Sequence, residues 1–368
     1  DLVDDGVDAA LDRVHGELGV SGVAVWAATP PVVQLRAGNV APSVFRTDGG
    51  VFAPVTRDAY VATRCQPIAA RWKPARTALP RIADACAARS LDLRLIVSAT
   101  RTGLLPQRYP HLTAKNALGG SSCVGLCLAN PDVVAYLAGL VADLRTTLSP
   151  AAILLRDVQL AWPEAFSPGL EAGMSLGVVA RSLLSVCFDE SCLQASRAAG
   201  VDGEAARRCV RVMLRRCLEG HPPAADALRA LVSDNEPLAA YLAWRGDWLS
   251  DVVRGLCVAG TGETIIDLAG AGEAVDLTPR MDVSIPDAVS ATVDQIEAMP
   301  VAVPVGARRS ELWLTARAVG DAPPPELVGA IATAAERGFA TVGVGQYGVL
   351  CDDALEAVRQ AVRFARRV

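Results

Sequence analysis

Aromatic residues make up only 5% of this 368-residue chain, and histidine occurs three times, as His15, His111 and His221. No His-x-x-x-His or Cys-x-x-Cys spacing exists anywhere in it, so the sequence points to no metal ion and no other cofactor. Basic excess is lacking too. The formal net charge is −5 and the 35 Lys and Arg are scattered, which argues against nucleic acid as a partner. Neither a signal-peptide hydrophobic region nor an apolar span of the ~20 residues a membrane helix needs is found, so no membrane partner is expected. Ten cysteines in so long a chain are too dilute for a disulfide scaffold. Several lie in apolar helical runs, where reduced cysteine behaves as a small hydrophobe, so free thiols and a cytoplasmic location are expected.

What the chain has is apolar surface to bury. Hydrophobic residues are 51% of it, enough for a sizeable core. Ala, Val, Leu and Arg dominate, the bias of GC-rich bacterial coding. Eight apolar runs read as strands: GVAVWA (22–27), GVFAPV (50–55), LRLIVSA (93–99), AAILLRDVQ (151–159), TIIDLAG (264–270), MDVSI (281–285), ELWLTARAV (311–319) and TVGVGQYG (341–348). Runs this continuously apolar imply burial on both faces, as in a parallel sheet. Helical periodicity follows most of them, at 76–90, 131–147, 288–298, 325–337 and 352–367. Asn130-Pro131 and Pro323-Pro324-Pro325 are helix-opening signals.

The alternation predicts an α/β fold, a (β/α)8 TIM-like barrel forming one domain over residues 1–368. Its first and fifth connections, 28–49 and 271–279, carry no helical pattern and are expected to be irregular, and a helical insertion is expected at 171–257, after the fourth strand. A doubly wound open sheet is the alternative. It would ordinarily show a phosphate-binding glycine turn after the first strand, and WAATPPVV is not one.

Barrel enzymes of this kind place their chemistry at the C-terminal strand ends. The polar residues expected there are Trp26, Ser98, Arg101, Asp157, Gln159, Asp267, Asp287, Arg317, Gln346 and Tyr347. Such a ring suits a neutral polyhydroxylated ligand, with aromatic faces on sugar C–H surfaces and carboxylates and amides on hydroxyls. Within LLRDVQLAWPEAF (154–166), strand alternation lets only one of Arg156 and Asp157 point inward. Asp157 is the better candidate, since a partly buried carboxyl can act as acid, base or nucleophile; an Arg156–Asp157 pair that only caps the rim is the structural alternative. A second carboxylate would come from Glu164, Asp267 or Asp287, and Trp162 adds an aromatic surface. After the third strand, RYPHLTAKNALGG (108–120) gathers His111, Lys115 and Asn116 in a long loop suited to substrate binding.

The order of these pieces resembles glycoside-hydrolase-like TIM-barrel proteins of bacteria. The likeness is carried by HLTAKNALGG, then CLANPDVVAYL opening a helix, then a strand ending in an acid and followed by Trp162-Pro163, then LLSVCF, and last GVGQYG. It spans roughly 20–350 and implies a (β/α)8 fold, a sugar-directed site, Asp157 as the leading catalytic residue and Asn116 and Tyr347 as site residues. The sequence departs from that pattern twice. FSPGLEAGMSLG (166–177) stands where relatives carry a His-rich stretch, and CFDESC where they carry Cys-Phe-Cys-x-x-Cys.

Three functions follow as expectations. The first is a glycoside hydrolase using Asp157 with a second carboxylate on a small-molecule carbohydrate or glycoside. The second is a catalytically eroded barrel that binds or supports a related barrel protein in a homo- or hetero-oligomer, for which the two departures speak. A sugar or sugar-acid lyase, isomerase or aldolase is the third, with Lys115 as amine nucleophile. In CFDESC itself, Asp189 or Ser191 is expected to cap a new helix, and Cys187 and Cys192 to flank the break before it.

Overall fold

The computed structural model describes residues 2–3, 5–36, 43–158, 177–224, 227–258, 263–267, 287–292, 310–315, 324–345, 347 and 352–367. Helix α1 (Val7–Asp12) leads into β1 (Gly22–Thr29), then a hairpin of β2 (Val32–Arg36) and β3 (Ser43–Thr47), and the two-residue β4 (Gly50–Val51). Next come α2 (Lys73–Ala88), β5 (Asp92–Ser98), α3 (Leu105–Arg108), a second hairpin of β6 (Thr113–Lys115) and β7 (Ser121–Leu126), α4 (Pro131–Leu148) and β8 (Ala152–Arg156). Five helices follow: α5 (Val178–Leu184), α6 (Glu190–Ala198), α7 (Gly203–Leu218), α8 (Ala227–Ser233) and α9 (Glu236–Val258). The chain then runs through β9 (Glu263–Asp267), β10 (Asp287–Thr292), β11 (Ser310–Thr315), α10 (Pro324–Glu336), β12 (Thr341–Gly345) and α11 (Asp352–Ala365).

The central sheet has the order β12-β11-β10-β9-β8-β5-β1-β4. Its seven long strands are all parallel, and only β4 runs antiparallel, beside β1. The two ends of this sheet share a hydrophobic cluster in which Val23 of β1, Val342 and Val344 of β12 and the apolar faces of α10 and α11 meet. Arg366 also donates to the Gly19 carbonyl at 2.5 Å, drawing the C-terminal segment towards the start of β1.

Side-chain alternation sorts the strands into two faces. Leu95 and Val97 of β5, Ile153 and Leu155 of β8 and Ile266 of β9 pack with α2, α4 and α9 in the main core. Ala24 and Trp26, Ile96, Ala152 and Leu154, and Ile265 form a separate cluster on the opposite, inner face. Burial on both faces is why these strands read as unbroken apolar runs. Asn130 caps α4, its side chain accepting from the Asp132 amide at 3.0 Å, with Pro131 at the first helical position. Helices α5–α9 share a separate core with the β6–β7 hairpin, in which Ala114, Cys127, Leu183, Phe188, Val210 and Tyr241 are buried.

Several expectations need correction. GVFAPV forms only the two-residue β4 and then irregular chain, because it borders the end of β1 at the sheet edge and meets only a single parallel bridge, Val51 with Ala69, on its other side. The segment 28–49, read as irregular, holds the β2–β3 hairpin. Residues 288–292 of the helix expected at 288–298 are instead strand, part of β10, where Ala288, Ser290 and Thr292 alternate with Asp287, Val289 and Ala291 along a ladder with β11, and 293–298 lie outside the described residues. The run 281–285 and the connection 271–279 lie outside the described residues.

Candidate active site at the strand ends

At the C-terminal end of β8 the pleat settles which residue faces inward. Leu154 belongs to the inner cluster and Leu155 to the helix-side core, so Arg156, and not Asp157, continues the inner face. Arg156 lies over the Trp26 ring, its guanidinium carbon 5.8 Å from the ring centre. Its register partner on β5 is Ser98, two residues beyond the inner-face Ile96.

Asp157 reaches the same place by a different route. Its backbone adopts φ 57, the left-handed region, in which Asp is among the few non-glycine residues found with any frequency. That turn ends the alternation and lets the carboxylate return to β5, where its Oδ2 accepts from the Ser98 hydroxyl. The Thr100 hydroxyl donates to the Asp157 carbonyl and holds the turn from the other side. Ser98 Oγ also lies 2.8 Å from the Arg101 carbonyl. Trp26, Arg156 and Asp157 are half-buried, while Ser98 and Thr100 are buried. A carboxylate, a guanidinium and an indole face thus converge on one spot where three adjacent strands end.

The loop after β5 is built from the β6–β7 hairpin, joined to it by Thr102 N to Val124 O at 2.7 Å and Leu126 N to Thr100 O at 2.8 Å. Asn116 is buried in the hairpin turn, its Oδ1 accepting from the amides of Leu118 at 3.0 Å and Gly120 at 2.9 Å. Its side-chain carbonyl is therefore occupied in shaping the loop. Half-buried Lys115 precedes it, and its carbonyl accepts from Phe188 N at 2.7 Å. His111 is exposed and stands edge-on to Tyr109, ring centres 6.3 Å apart.

Tyr347 is brought to the N-terminal segment, where burial raises its hydroxyl above the usual tyrosine range and Asp5 and Arg13 act on it. Asp267 ends β9, two residues beyond inner-face Ile265. Asp287 was expected after the sixth strand, but it opens β10 and so lies at that strand's N-terminal end. Gln159, Trp162, Glu164, Arg317 and Gln346 lie outside the described residues.

A second cluster combines the CFDESC segment with a cysteine from the β6–β7 hairpin, a grouping the sequence does not show. Cys127, just past β7, meets Cys187, Asp189 and Cys192 at the break between α5 and α6, with one ligand atom of each within 4.8 Å of the others and all four buried. Burial pushes the Cys127 thiol up and lifts the Asp189 carboxyl. It opposes ionisation of Cys187 as well, but hydrogen bonding from the Cys127 and Cys192 thiols draws that thiol down. The spacing search could not find this group, because Cys127 comes from a hairpin about sixty residues upstream of the rest.

No protein-family model matches the sequence, and no curated protein matches it. Solved structures do resemble it in fold. The chain is 13% identical to the glycoside hydrolase domain of PgaB (BpsB) from Bordetella bronchiseptica, covering 96% of this chain and 91% of that one with a TM-score of 0.51. Alpha-L-fucosidase isoenzyme 2 from Paenibacillus thiaminolyticus is 12% identical, over 96% of this chain and 45% of that one, with a TM-score of 0.46. A β-galactosidase from the psychrophilic Marinomonas ef1 is 10% identical over 85% of this chain and 54% of that one, TM-score 0.45. The chain spans about half the length of these last two. The fold shared with the PgaB domain is an α/β architecture around a central parallel sheet. Among the described residues no helix is long and apolar enough to cross a membrane.

Proposed function

We propose that the chain is a carbohydrate-active protein on a closed (β/α)8 barrel, and a glycoside hydrolase in which Asp157 serves as acid, base or nucleophile. The observation that carries this reading is the left-handed turn at Asp157, which sets its carboxylate beside Ser98 at the inner-face strand ends. Trp26 supplies a surface for a sugar ring, and Arg156, resting on that indole, supplies donors for hydroxyls or a carboxylate. A second carboxylate is required across the scissile bond, from Glu164 or Asp267; Asp267, which ends β9 beside β8, is favoured. Lys115, His111 and Asn116 form the outer wall, with Asn116 acting through the shape of the hairpin.

One observation favours a second reading, a barrel that binds or supports a partner without turnover. The Asp157 carboxylate and carbonyl both accept hydrogen bonds from β5 and the turn after it, which is also how a purely structural rim would be tied. Screening the full chain against a panel of aryl glycosides, with size-exclusion chromatography alongside, separates the two. Hydrolysis of any member supports the first. A stable hetero-oligomer with no hydrolysis supports the second.

A further inference from the structure

The cluster of Cys127, Cys187, Asp189 and Cys192 answers to none of the roles given to the strand-end site. Its geometry is that of a coordination sphere. Cys127 Sγ lies 3.4 Å from Cys192 Sγ, 4.0 Å from Cys187 Sγ and 3.0 Å from Asp189 Oδ1, and Cys187 Sγ lies 3.8 Å from the same oxygen. Zn–S bonds of about 2.3 Å place the sulfurs of a tetrahedral site about 3.8 Å apart, with oxygen slightly closer. The four groups come from two segments, Cys127 after β7 and the stretch 187–192, and each would need little displacement to face one centre.

The surroundings fit as well. Asp189 is held by its role at the start of α6, its Oδ1 accepting from the Cys192 amide at 2.9 Å, so carboxylate and thiol are fixed together before any ion arrives. The Cys187 carbonyl is held by the Tyr241 hydroxyl at 2.7 Å, and the adjacent Phe188 amide by the Lys115 carbonyl. Arg245 is 3% exposed with no hydrogen-bond partner at Nε, and its positive charge acts on the Tyr241 hydroxyl. A buried cation on the Tyr241 side of the cluster partly offsets the excess negative charge that three thiolates and a carboxylate leave around a divalent ion.

We propose that Cys127, Cys187, Asp189 and Cys192 bind one divalent, thiolate-preferring metal ion, zinc foremost, in a closed structural site. On binding, the three thiols release their protons to solvent, and the ion takes three S⁻ donors and one carboxylate oxygen, with no change of oxidation state. With all four positions filled by protein, no place is left for a water or substrate, so the site is structural and not catalytic. It fastens the helical insertion to the β6–β7 hairpin, the loop that walls the strand-end site. This assignment does not depend on the carbohydrate reading.

The test is metal analysis of the full chain, purified under reducing conditions without chelator. About one zinc ion per folded chain is expected. Cys127→Ser and Cys192→Ser should lose it, while Cys123→Ser, altering an exposed cysteine, should retain it. Should the serine variants fail to fold, Co²⁺ exchanged into the wild-type protein supplies the second readout. The proposal expects tetrahedral d–d bands together with thiolate-to-cobalt charge transfer. Folded, reduced wild-type protein without metal after zinc supplementation would overturn it. So would cobalt spectra without thiolate bands, retention of the ion by folded Cys192→Ser, or a native Cys127–Cys192 disulfide.

Discussion

Arg156 stacks on Trp26 with its guanidinium carbon 5.8 Å from the indole centre, and the two residues come from β8 and β1 with β5 between them. A half-buried cation–π contact of this kind contributes about 0.5–2 kcal/mol, so neither side chain is independent of the other. A sugar on the indole would therefore sit beside a positioned donor.

Removing the indole should act on binding before it acts on chemistry. Trp26→Leu is expected to raise KM for a hydrolysed glycoside about tenfold or more, with a smaller fall in kcat, because stacking is present in ground and transition states alike. Steady-state kinetics of the variant decides it. An unchanged KM would place the sugar elsewhere.

The left-handed backbone at Asp157 predicts an ordering of stability. Asp157→Ala loses the Ser98 hydrogen bond and keeps a Cβ in the unfavourable region, so it should cost about 2–4 kcal/mol. Asp157→Gly loses the same bond but relieves the backbone, and should fall within about 1 kcal/mol of wild type. Urea denaturation of the two variants measures the difference. Equal stabilities would mean that the turn is not held in this conformation.

Gly139, on the face of α4 turned to Tyr60, tests the packing that fixes the sheet's outer layer. A methyl group there would lie 2.5 Å from the Ala59 carbonyl oxygen and 3.1 Å from Tyr60 Cδ1. Gly→Ala inside a helix ordinarily stabilises by about 1 kcal/mol, but overpacking should reverse the sign and destabilise by about 1–3 kcal/mol. A Gly139→Ala protein more resistant to urea than wild type would refute this close approach.

Asp132, in the first turn of α4, ties that helix to the segment after Tyr60. It accepts from the Arg64 backbone amide at 3.0 Å and from Nε and Nη2 of the Arg64 side chain at 2.9 and 2.7 Å. The backbone amide first, and then the guanidinium, hold the Asp132 carboxyl below the ordinary aspartate value. A depressed folded-state value means stability that is fully present above the unfolded value of about 3.9 and is lost as pH falls through the folded one. Asp132→Asn should therefore lower Tm at neutral pH, with the gap closing in strong acid. The gap is expected to be modest, since the Arg64 side chain is 80% exposed. Thermal scans across pH check it, and a gap that persists undiminished in acid would contradict the assignment.

How much of this was legible in the sequence follows from where the information lies. Strands β1, β5, β8, β9, β11 and β12 were visible because burial on both faces leaves long apolar runs. Helix α4 announced itself through Asn130 and Pro131. DAVSAT misled, because Ala288, Val289 and Ala291 satisfy helical spacing as readily as strand alternation, and only the neighbours β9 and β11 decide. Strand alternation gives Arg156 and Asp157 opposite faces, and it carries no notice of the positive φ at Asp157 that brings the carboxylate back to Ser98. Of the thiol cluster, CFDESC showed the Asp189 cap and the two cysteines flanking the break, but their meeting with Cys127 is a property of the folded hairpin and insertion and not of either segment alone.

The most direct test of the carbohydrate reading is the turnover of an aryl glycoside by wild-type protein and by Asp157→Asn, with Tm measured on both. The account predicts hydrolysis by the wild type, a loss of at least about 100-fold in kcat in the variant, and a fold that remains intact. Equal turnover by wild type and a folded Asp157→Asn would contradict it.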